Sequence, residues 1–259
     1  MIGCIIQART GSSRLPGKAM KLLDGKYSIL HYVINQLKYS KLLDDIIIAT
    51  TDLKEDDVIV KFAQENGFKY FRGSEKDVLD RHYQCAKKFE FSTIVRIPSD
   101  KPLIDPHIVD KVVQVFLTSK YDYVSNFLQY TFPFGTEVEV FSFEALEKTW
   151  KLAILPSERE HVTPYIYNHR DKFKIFNVNN SENLSHLRWE VDREKDLEIV
   201  KRIVERIKTR PIVLKDIMNL YALDPTLFNI NKNDDPNEGY LKSLKEDEEF
   251  VKQEKKNNE

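Results

Sequence analysis

Eleven consecutive residues near the amino terminus, Ala8-Arg9-Thr10-Gly11-Ser12-Ser13-Arg14-Leu15-Pro16-Gly17-Lys18, hold two glycines, two serines and three cations. They follow an apolar, strand-like run from Ile2 to Gln7, which is where open α/β sheets bind ligands. Gly and Ser let backbone N–H groups approach a ligand, Arg offers forked donors and Lys a point charge, a combination that suits a polyphosphate. A solvated turn is the plain alternative, and turn chemistry alone does not call for three cations at one strand end. The spacing is not that of a P-loop: five residues separate Gly11 from Gly17-Lys18, and Ala19 stands where a Ser or Thr would hold magnesium. No G-x-G-x-x-G is present either.

A second candidate follows the apolar run Thr93 to Ile97, which ends in Pro98-Ser99-Asp100-Lys101-Pro102. A carboxylate at the end of a central strand, beside a phosphate loop, is a natural magnesium ligand, because that ion takes a carboxylate oxygen together with phosphate oxygens. Asp before a turn is also ordinary. Asp192, after the strand-like run Leu187 to Val191, has an equally plain reading as the cap of the next helix. Only the pairing of Asp100 with Asp192 favours metal. Ser74 and Arg81, in Arg72-Gly73-Ser74-Glu75-Lys76-Asp77-Val78-Leu79-Asp80-Arg81, fit contacts to a base or ribose, and Ser74 fits a helix cap with Asp77 completing a capping box just as well. Ser157 and Glu160 form the same box pattern, and the nearby His161 is more readily structural than catalytic. Zinc is not expected, since neither Cys4 nor Cys85 belongs to a paired ligand cluster.

The elements that must position these residues alternate in period. Ile2–Gln7, Ile46–Thr50, Phe68–Phe71 and Thr93–Ile97 have strand length. Ile29–Lys38, the stripe Val58, Ile59, Phe62 and Ala63, then Val78–Phe89 and Pro106–Thr118 have helical period. Four successive βα units predict a mainly parallel sheet covered on both faces. Beyond residue 120 the pattern loosens. Tyr121–Ser125, Val138–Phe141, Phe173–Val178 and Leu187–Val191 predict a small mixed β region, followed by a helix from near Arg193. Residues 1–241 are expected to form one domain with halves at about 1–120 and 121–241. In 242–259, eleven of eighteen residues are charged, which predicts a solvated helix or frayed tail.

Composition limits the partners. Across 259 residues, 40 Lys and Arg balance 41 Asp and Glu, giving a net charge of −1. A phosphate-backbone binder concentrates cations, so nucleic acid is not expected. No apolar run has membrane-spanning length and the start is not that of a secretory signal, so the expected setting is cytoplasmic, with both cysteines reduced and buried.

The stretch from Ile6 to Lys18 resembles the opening of the cytidylyltransferases that make CMP-activated acidic sugars, a group that includes the CMP-Kdo and CMP-acylneuraminate synthetases. Arg72-Gly73-Ser74, Asp77 to Arg81, Arg96, Asp100, Pro102 to Pro106, Val138 to Phe141, Glu160 to Tyr165, Val191-Asp192, Asp196-Leu197 and Asn237 to Tyr240 are similar to the branch named for spore-coat polysaccharide biosynthesis protein SpsF. The resemblance implies a GT-A-like nucleotidyltransferase fold, CTP, Mg2+, a homodimer, and transfer of CMP to the hydroxyl of a small acidic acceptor. Arg9, Arg14 and Lys18 would hold the triphosphate, with Ala8, Gly11, Ser12, Ser13, Ser74, Arg81, Pro98 and Ser99 completing the nucleotide site. Asp100 and Asp192 would hold the metal, and Arg14, Lys18 and Asp100 would carry catalysis. Arg96, Glu137, Glu139, His161 and Glu190 would face the acceptor, whose carboxylate needs a partner among the uncommitted cations Arg96, Lys101, Arg188 or His161. Two departures stand out: Pro98-Ser99-Asp100-Lys101-Pro102 replaces Thr-Gly-Asp-Cys-Pro or Gln-Gly-Asp-Glu-Pro, and Glu190 replaces a small Thr. A phosphonate or other small-acid acceptor, a GT-A glycosyltransferase and a silent nucleotide binder are competing readings, as is a sugar-phosphate nucleotidyltransferase, whose opening carries a longer Gly-rich loop before Arg-Leu than Arg14-Leu15-Pro16-Gly17-Lys18 shows. No Asp-x-Asp stands at a strand end, as the second would require, and the third would have lost a metal carboxylate.

Overall fold

The computed structural model describes residues 1–231 and 238–257. In chain order it contains β1 (Ile2–Gln7), α1 (Ile29–Leu37), β2 (Asp45–Thr51), α2 (Asp57–Glu65), β3 (Lys69–Gly73), α3 (Val78–Lys88), β4 (Thr93–Pro98) and α4 (Pro106–Leu117). The second half adds β5 (Tyr123–Ser125), β6 (Glu139–Ser142), α5 (Phe143–Leu152), α6 (Pro156–His161), α7 (Pro164–Asn168), β7 (Ile175–Asn177), α8 (Glu194–Arg206), α9 (Leu214–Leu223) and α10 (Glu238–Asn257). Seven strands form one sheet in the order β3-β2-β1-β4-β6-β5-β7. Within this sheet, among the described residues, antiparallel pairing occurs where β6 meets β4 and β5, so β6 alone runs against the rest. This is the expected nucleotidyltransferase architecture, mainly parallel with a small mixed region.

The continuous apolar runs of β1, β2 and β4 follow from burial on both faces. On one side Cys4, Ile6, Ile48 and Val95 pack with α1, α2 and α4, and on the other Ile5, Ile47 and Ile94 pack with α3 and α5. Both cysteines are free and buried. Helix starts are set by short polar side chains accepting first-turn N–H groups: Ser28 from His31 at 3.2 Å, Asp105 from His107 at 2.8 Å and Ser142 from Ala145 at 3.0 Å. Two caps differ from expectation. Asp77, not Ser74, caps α3 by accepting from Asp80 N at 2.8 Å, while Ser74 Oγ accepts from Asp77 N in the preceding turn. In α6 Glu158 rather than Glu160 closes the first turn, accepting from Ile154 N and Leu155 N, and Ser157 turns to α10. Asp77 also accepts from Arg159 through its other carboxylate oxygen, and Glu160 is left to pair with Arg9.

Leu187–Val191 is not a strand of the sheet. It is extended, but its only ladder contact is a single parallel bridge between Arg188 and Phe134, and Val191 N donates to Asp100 O at 2.8 Å. The alternation that predicts a strand is still used. Leu187, Trp189 and Val191 enter a third core with α8 and α9, leaving the charged residues between them on the opposite side. The charged tail is helical, as one of its expected forms, but α10 begins at Glu238, before residue 242, and Ser243 and Asp247 of that helix are buried rather than solvated. Asn237, and 258–259 of that tail, lie outside the described residues. Among the described residues no helix is long and apolar enough to cross a membrane.

Gly135 lets the 187–191 segment approach. Its φ is +101°, and a Cβ there would lie 2.7 Å from Glu190 N and 2.9 Å from Trp189 C. Gly135→Ala should therefore destabilise the protein by about 2 kcal/mol or more, combining backbone strain with overpacking. Urea unfolding with an unchanged midpoint would refute this close approach.

Candidate active site

Parallel pairing fixes where β1 and β4 deliver their loops. Gln7 lies opposite Pro98, and Ser99 N donates to Gln7 O at 3.1 Å. From β1 the chain moves outward to β2 and β3, whereas β4 lies on the other side, so the order reverses between β1 and β4. The crevice outside the carboxyl ends of such strands is the general ligand position of open α/β sheets. A cleft of about 1220 Å³ opens there.

The loop after β1 is shaped by internal bonds. Ser12 N and Gly17 N both donate to Thr10 O, at 2.8 and 2.9 Å, and Gly17 takes a φ of +66° that favours glycine. Buried Asp56 holds the loop from outside, its Oδ1 accepting from Thr10 N and Thr10 Oγ1, each at 2.7 Å. Sequence reasoning missed Asp56, because no spacing links it to a loop 46 residues earlier. Leu15 is buried beneath, leaving Arg9, Arg14 and Lys18 on the cleft.

Lys18 reaches the centre. Its Nζ lies 2.8 Å from Asp100 Oδ2, 2.8 Å from Asp192 Oδ1 and 3.1 Å from Val191 O. Asp192 also meets Arg14 at 3.0 Å and Arg188 at 3.0 Å. It does not cap α8: Asp196 accepts from Asp192 N and Arg193 N, which leaves the Asp192 carboxylate for the cleft. Burial opposes its ionisation, but Lys18, Arg14 and Arg188 outweigh burial and hold it below the ordinary carboxylate range. Burial likewise opposes charge on Lys18, and Asp100 and Asp192 override it and raise its pKa. Glu190, expected to face the acceptor, joins this carboxylate group. Asp100, Glu190 and Asp192 each present an oxygen, all within 4.8 Å of one another. Burial pushes Glu190 up to about 8, with Lys101 opposing and Asp100 and Glu137 reinforcing the rise. Asp100 Oδ1 is buried with no hydrogen-bond partner. An all-oxygen set with one orphaned carboxylate oxygen fits a hard divalent cation.

All the predicted site residues line the cleft except Ser74, whose hydroxyl and carbonyl serve the turn before α3, the carbonyl accepting from Arg81 Nη1 at 2.5 Å. Ala8, Gly11, Ser12, Ser13, Pro98 and Ser99 form the floor near the loop. Arg81 is buried, with no ion pair among the described residues and its Nε unbonded. Arg9 bridges Glu75 and Glu160, at 3.2 and 3.0 Å. The cations expected to be uncommitted are not. Arg96 pairs with Glu139 and also bonds Gln7 Oε1 at 3.1 Å; Lys101 pairs with Glu137 and lies 3.9 Å from Glu190; Arg188 pairs with Asp192. A buried cation recruits a carboxylate because leaving it unpaired is costly. Phe127, Tyr130, Phe134 and Tyr167 add an aromatic wall, which no periodicity marked because all but Tyr167 lie in an irregular connection.

His161 donates to or accepts from Ser243 of α10 at 2.9 Å, and its ring meets Tyr240 edge-on at 5.4 Å. Burial, then the field of Arg96, lowers its pKa to about 4, with Asp247 opposing. A depressed histidine pKa favours folding above the unfolded value and loses that contribution as pH falls toward the folded value. Between roughly pH 6.5 and 4, wild type should thus lose up to about 3 kcal/mol that His161→Gln retains. Parallel acid-unfolding curves for the two proteins would show that this histidine carries no such term.

Residues 3–253 match the family model described as Cytidylyltransferase. An uncharacterized protein of Methanocaldococcus jannaschii is 42% identical over 231 residues, covering 88% of this chain and 93% of its own. Spore coat polysaccharide biosynthesis protein SpsF of Bacillus subtilis is 33% identical over 218 residues, covering 81% and 88%. The solved structure of a cytidylyltransferase from Leptospira borgpetersenii superposes with a TM-score of 0.84 at 33% identity, covering 90% of this chain and 98% of that one. With the family model matched over residues 3–253, and with relatives 33% identical over most of their own length, the chain belongs to the cytidylyltransferase family.

Proposed function

We propose that the protein transfers CMP from CTP to the hydroxyl of a small acidic sugar, releasing pyrophosphate, in the cytoplasmic synthesis of a cell-surface polysaccharide or glycoconjugate. The carrying observation is the convergence of Arg14 and Lys18 from the β1 loop on Asp100 and Asp192 at the sheet's strand-order reversal. In this reading Arg9, Arg14 and Lys18 orient the triphosphate. Backbone N–H groups of Gly11, Ser13 and Arg14 would lie beside it, Ser12 N being held by Thr10 O, and Arg81 would serve the nucleoside end. Asp100 and Asp192 would hold magnesium, with Glu190 beside them. When bound, that ion supplies neutralisation of the charge spreading over the phosphates. The side chains contribute position and fixed charge: the loop aligns the α-phosphorus for in-line attack, and Arg14 and Lys18 favour departure of pyrophosphate. No protein nucleophile enters the reaction.

The acceptor side lies between the aromatic wall and α10. Arg96, Lys101 and Arg188 are spoken for, so a carboxylate finds its partner at the rim. There Arg170 is exposed and has no ion pair among the described residues. Glu137 and Glu139 then act through the cations they hold rather than on the sugar directly. A homodimer, implied by the resemblance, belongs to the same reading and is tested by light scattering.

CTP-dependent pyrophosphate release should favour an acidic sugar over its carboxylate-reduced analogue by kcat/KM. Equal values would remove the acid requirement, and activity with phosphonates alone would replace the acceptor class while keeping the reaction. Asp100→Asn should keep the fold and lose about 100-fold or more in kcat, the scale of removing one strong electrostatic stabiliser. Near wild-type turnover across a magnesium titration would contradict the role given to Asp100.

A further inference from the structure

The position best furnished for a divalent cation is held by a side chain of the protein itself. Lys18 Nζ contacts Asp100 Oδ2, Asp192 Oδ1 and Val191 O at 2.8 to 3.1 Å, three oxygens from two separate segments closing around one ammonium. Magnesium bonded to the same two carboxylates would stand roughly 2.1 Å from their oxygens, so ammonium and metal cannot share the place. Two like charges a few ångströms apart in a half-buried cleft would also repel strongly. Lys101 makes the contrast. It is held by Glu137 with Glu190 nearby and has a side-chain exposure of 6%, whereas that of Lys18 is 14%, on a stem entering from the loop that faces the open cleft.

We propose that Lys18 is an internal counter-ion which blocks metal binding until a nucleoside triphosphate draws it away, so that metal and triphosphate bind as one cooperative event. The proposal rests on the metal reading given above for Asp100 and Asp192. A flexible four-carbon stem lets the ammonium swing without moving the backbone. The incoming phosphates are the anions that can accept it, and its departure uncovers both carboxylates, including Asp100, whose Oδ1 already lacks a partner. Without such a plug, the Asp100 carboxylate would face Asp192 with no cation shared between them, since Arg14 and Arg188 pair with Asp192. With it, the empty site is electrically balanced, and the divalent ion enters only when new negative charge arrives. Binding each ligand then tightens the other by the same factor.

Manganese serves as the probe, its free concentration read by electron paramagnetic resonance during titration into nucleotide-free protein. Wild type should bind it weakly. Lys18→Met and Lys18→Gln should bind it at least ~10-fold more tightly, because a competing positive charge is gone, while Lys18→Arg should stay as weak as wild type. Calorimetric CTP titrations with and without Mn2+ give the second readout: the metal should tighten CTP binding in wild type, and by a smaller factor in Lys18→Met. Equal nucleotide-free affinities in wild type, Lys18→Met and Lys18→Gln would overturn the counter-ion role while leaving the metal reading intact. Micromolar Mn2+ binding by nucleotide-free wild type overturns it without reference to any variant. If Mn2+ leaves CTP binding to wild type unchanged, the metal assignment falls and this proposal with it.

Discussion

Two carboxylates held at one point against their mutual repulsion are the constraint around which the cleft is built. Asp100 and Asp192 come from segments 92 positions apart in sequence, and each would resist burial alone. The Lys18 ammonium, 82 residues from one and 174 from the other, is what lets them stand together. That single contact fixes three chain segments relative to one another: the loop after β1, the turn after β4 and the extended run before α8. Val191 N bonding to Asp100 O adds a backbone tie between the last two. Parallel pairing of β1 with β4 does the rest, since it sets which residues reach the sheet's edge together.

The same logic of compensation repeats outward through the cleft. Lys101 with Glu137, Arg96 with Glu139 and Arg188 with Asp192 are buried or nearly buried pairs, and Lys101 and Arg188 place their cations at the carboxylate cluster. Buried pairs of this kind add little net stability, because desolvation offsets most of their attraction. Their effect is to fix orientation. Gly135 N donates to Glu137, and Tyr123 and Thr163 both donate to Glu139, so each of these acids is held by the backbone or by β5 and the residue before α7 as well as by its cation. A substrate entering this region meets side chains already locked, with freely orientable charge confined to the rim.

What was legible in the sequence divides along a physical line. The βαβ half could be seen because its strands are buried on both faces and its helices on one, so periodicity alone marked Ile2–Gln7, Thr93–Ile97 and the helices between them. Short-range chemistry was visible too: three cations in one loop, and carboxylates directly after apolar runs. The failures involve choices among long-range partners. Leu187–Val191 has strand alternation, yet whether such a run joins a ladder depends on the neighbour it meets, here the single residue Phe134. Arg96 and Lys101 seemed uncommitted because Glu139 and Glu137 lie 43 and 36 residues away, and Arg188 because nothing local shows that Asp192, four residues on, turns toward it. Ser74 and Ser157 had the right spacing for capping boxes, but Asp77 and Glu158 offered better-placed oxygens. Asp56 and the aromatic wall carried no local signal at all.

The carboxyl-terminal helix shows how one short element can join distant parts of a site. All but one residue of α6 has a specific task beyond the helix itself or at its cap. Ser157 donates through N and Oγ to Asp247 of α10, and His161 bonds Ser243 of the same helix. Arg159 holds Asp77 at the start of α3, and Glu160 holds Arg9 of the phosphate-type loop. Glu158 closes the first turn. An acidic, lysine-rich segment that looks like a solvated tail is thereby tied through six residues to the loop at the opposite wall. Gly239 at its start lies against the Arg14 guanidinium, where a Cβ would come within 3.3 Å of Nη1. The helix is anchored by hydrogen bonds to buried polar atoms more than by apolar area, since Leu241, Leu244 and Val251 remain exposed. Such an anchor is directional: it sets where Tyr240 and Ser243 stand in the cleft, and it weakens sharply if one partner is displaced. Because Arg9 is shared between Glu160 and Glu75, a displacement of Arg9 would be felt first at α6 and through it at α10, which ties the loop after β1 to the opposite wall of the cleft.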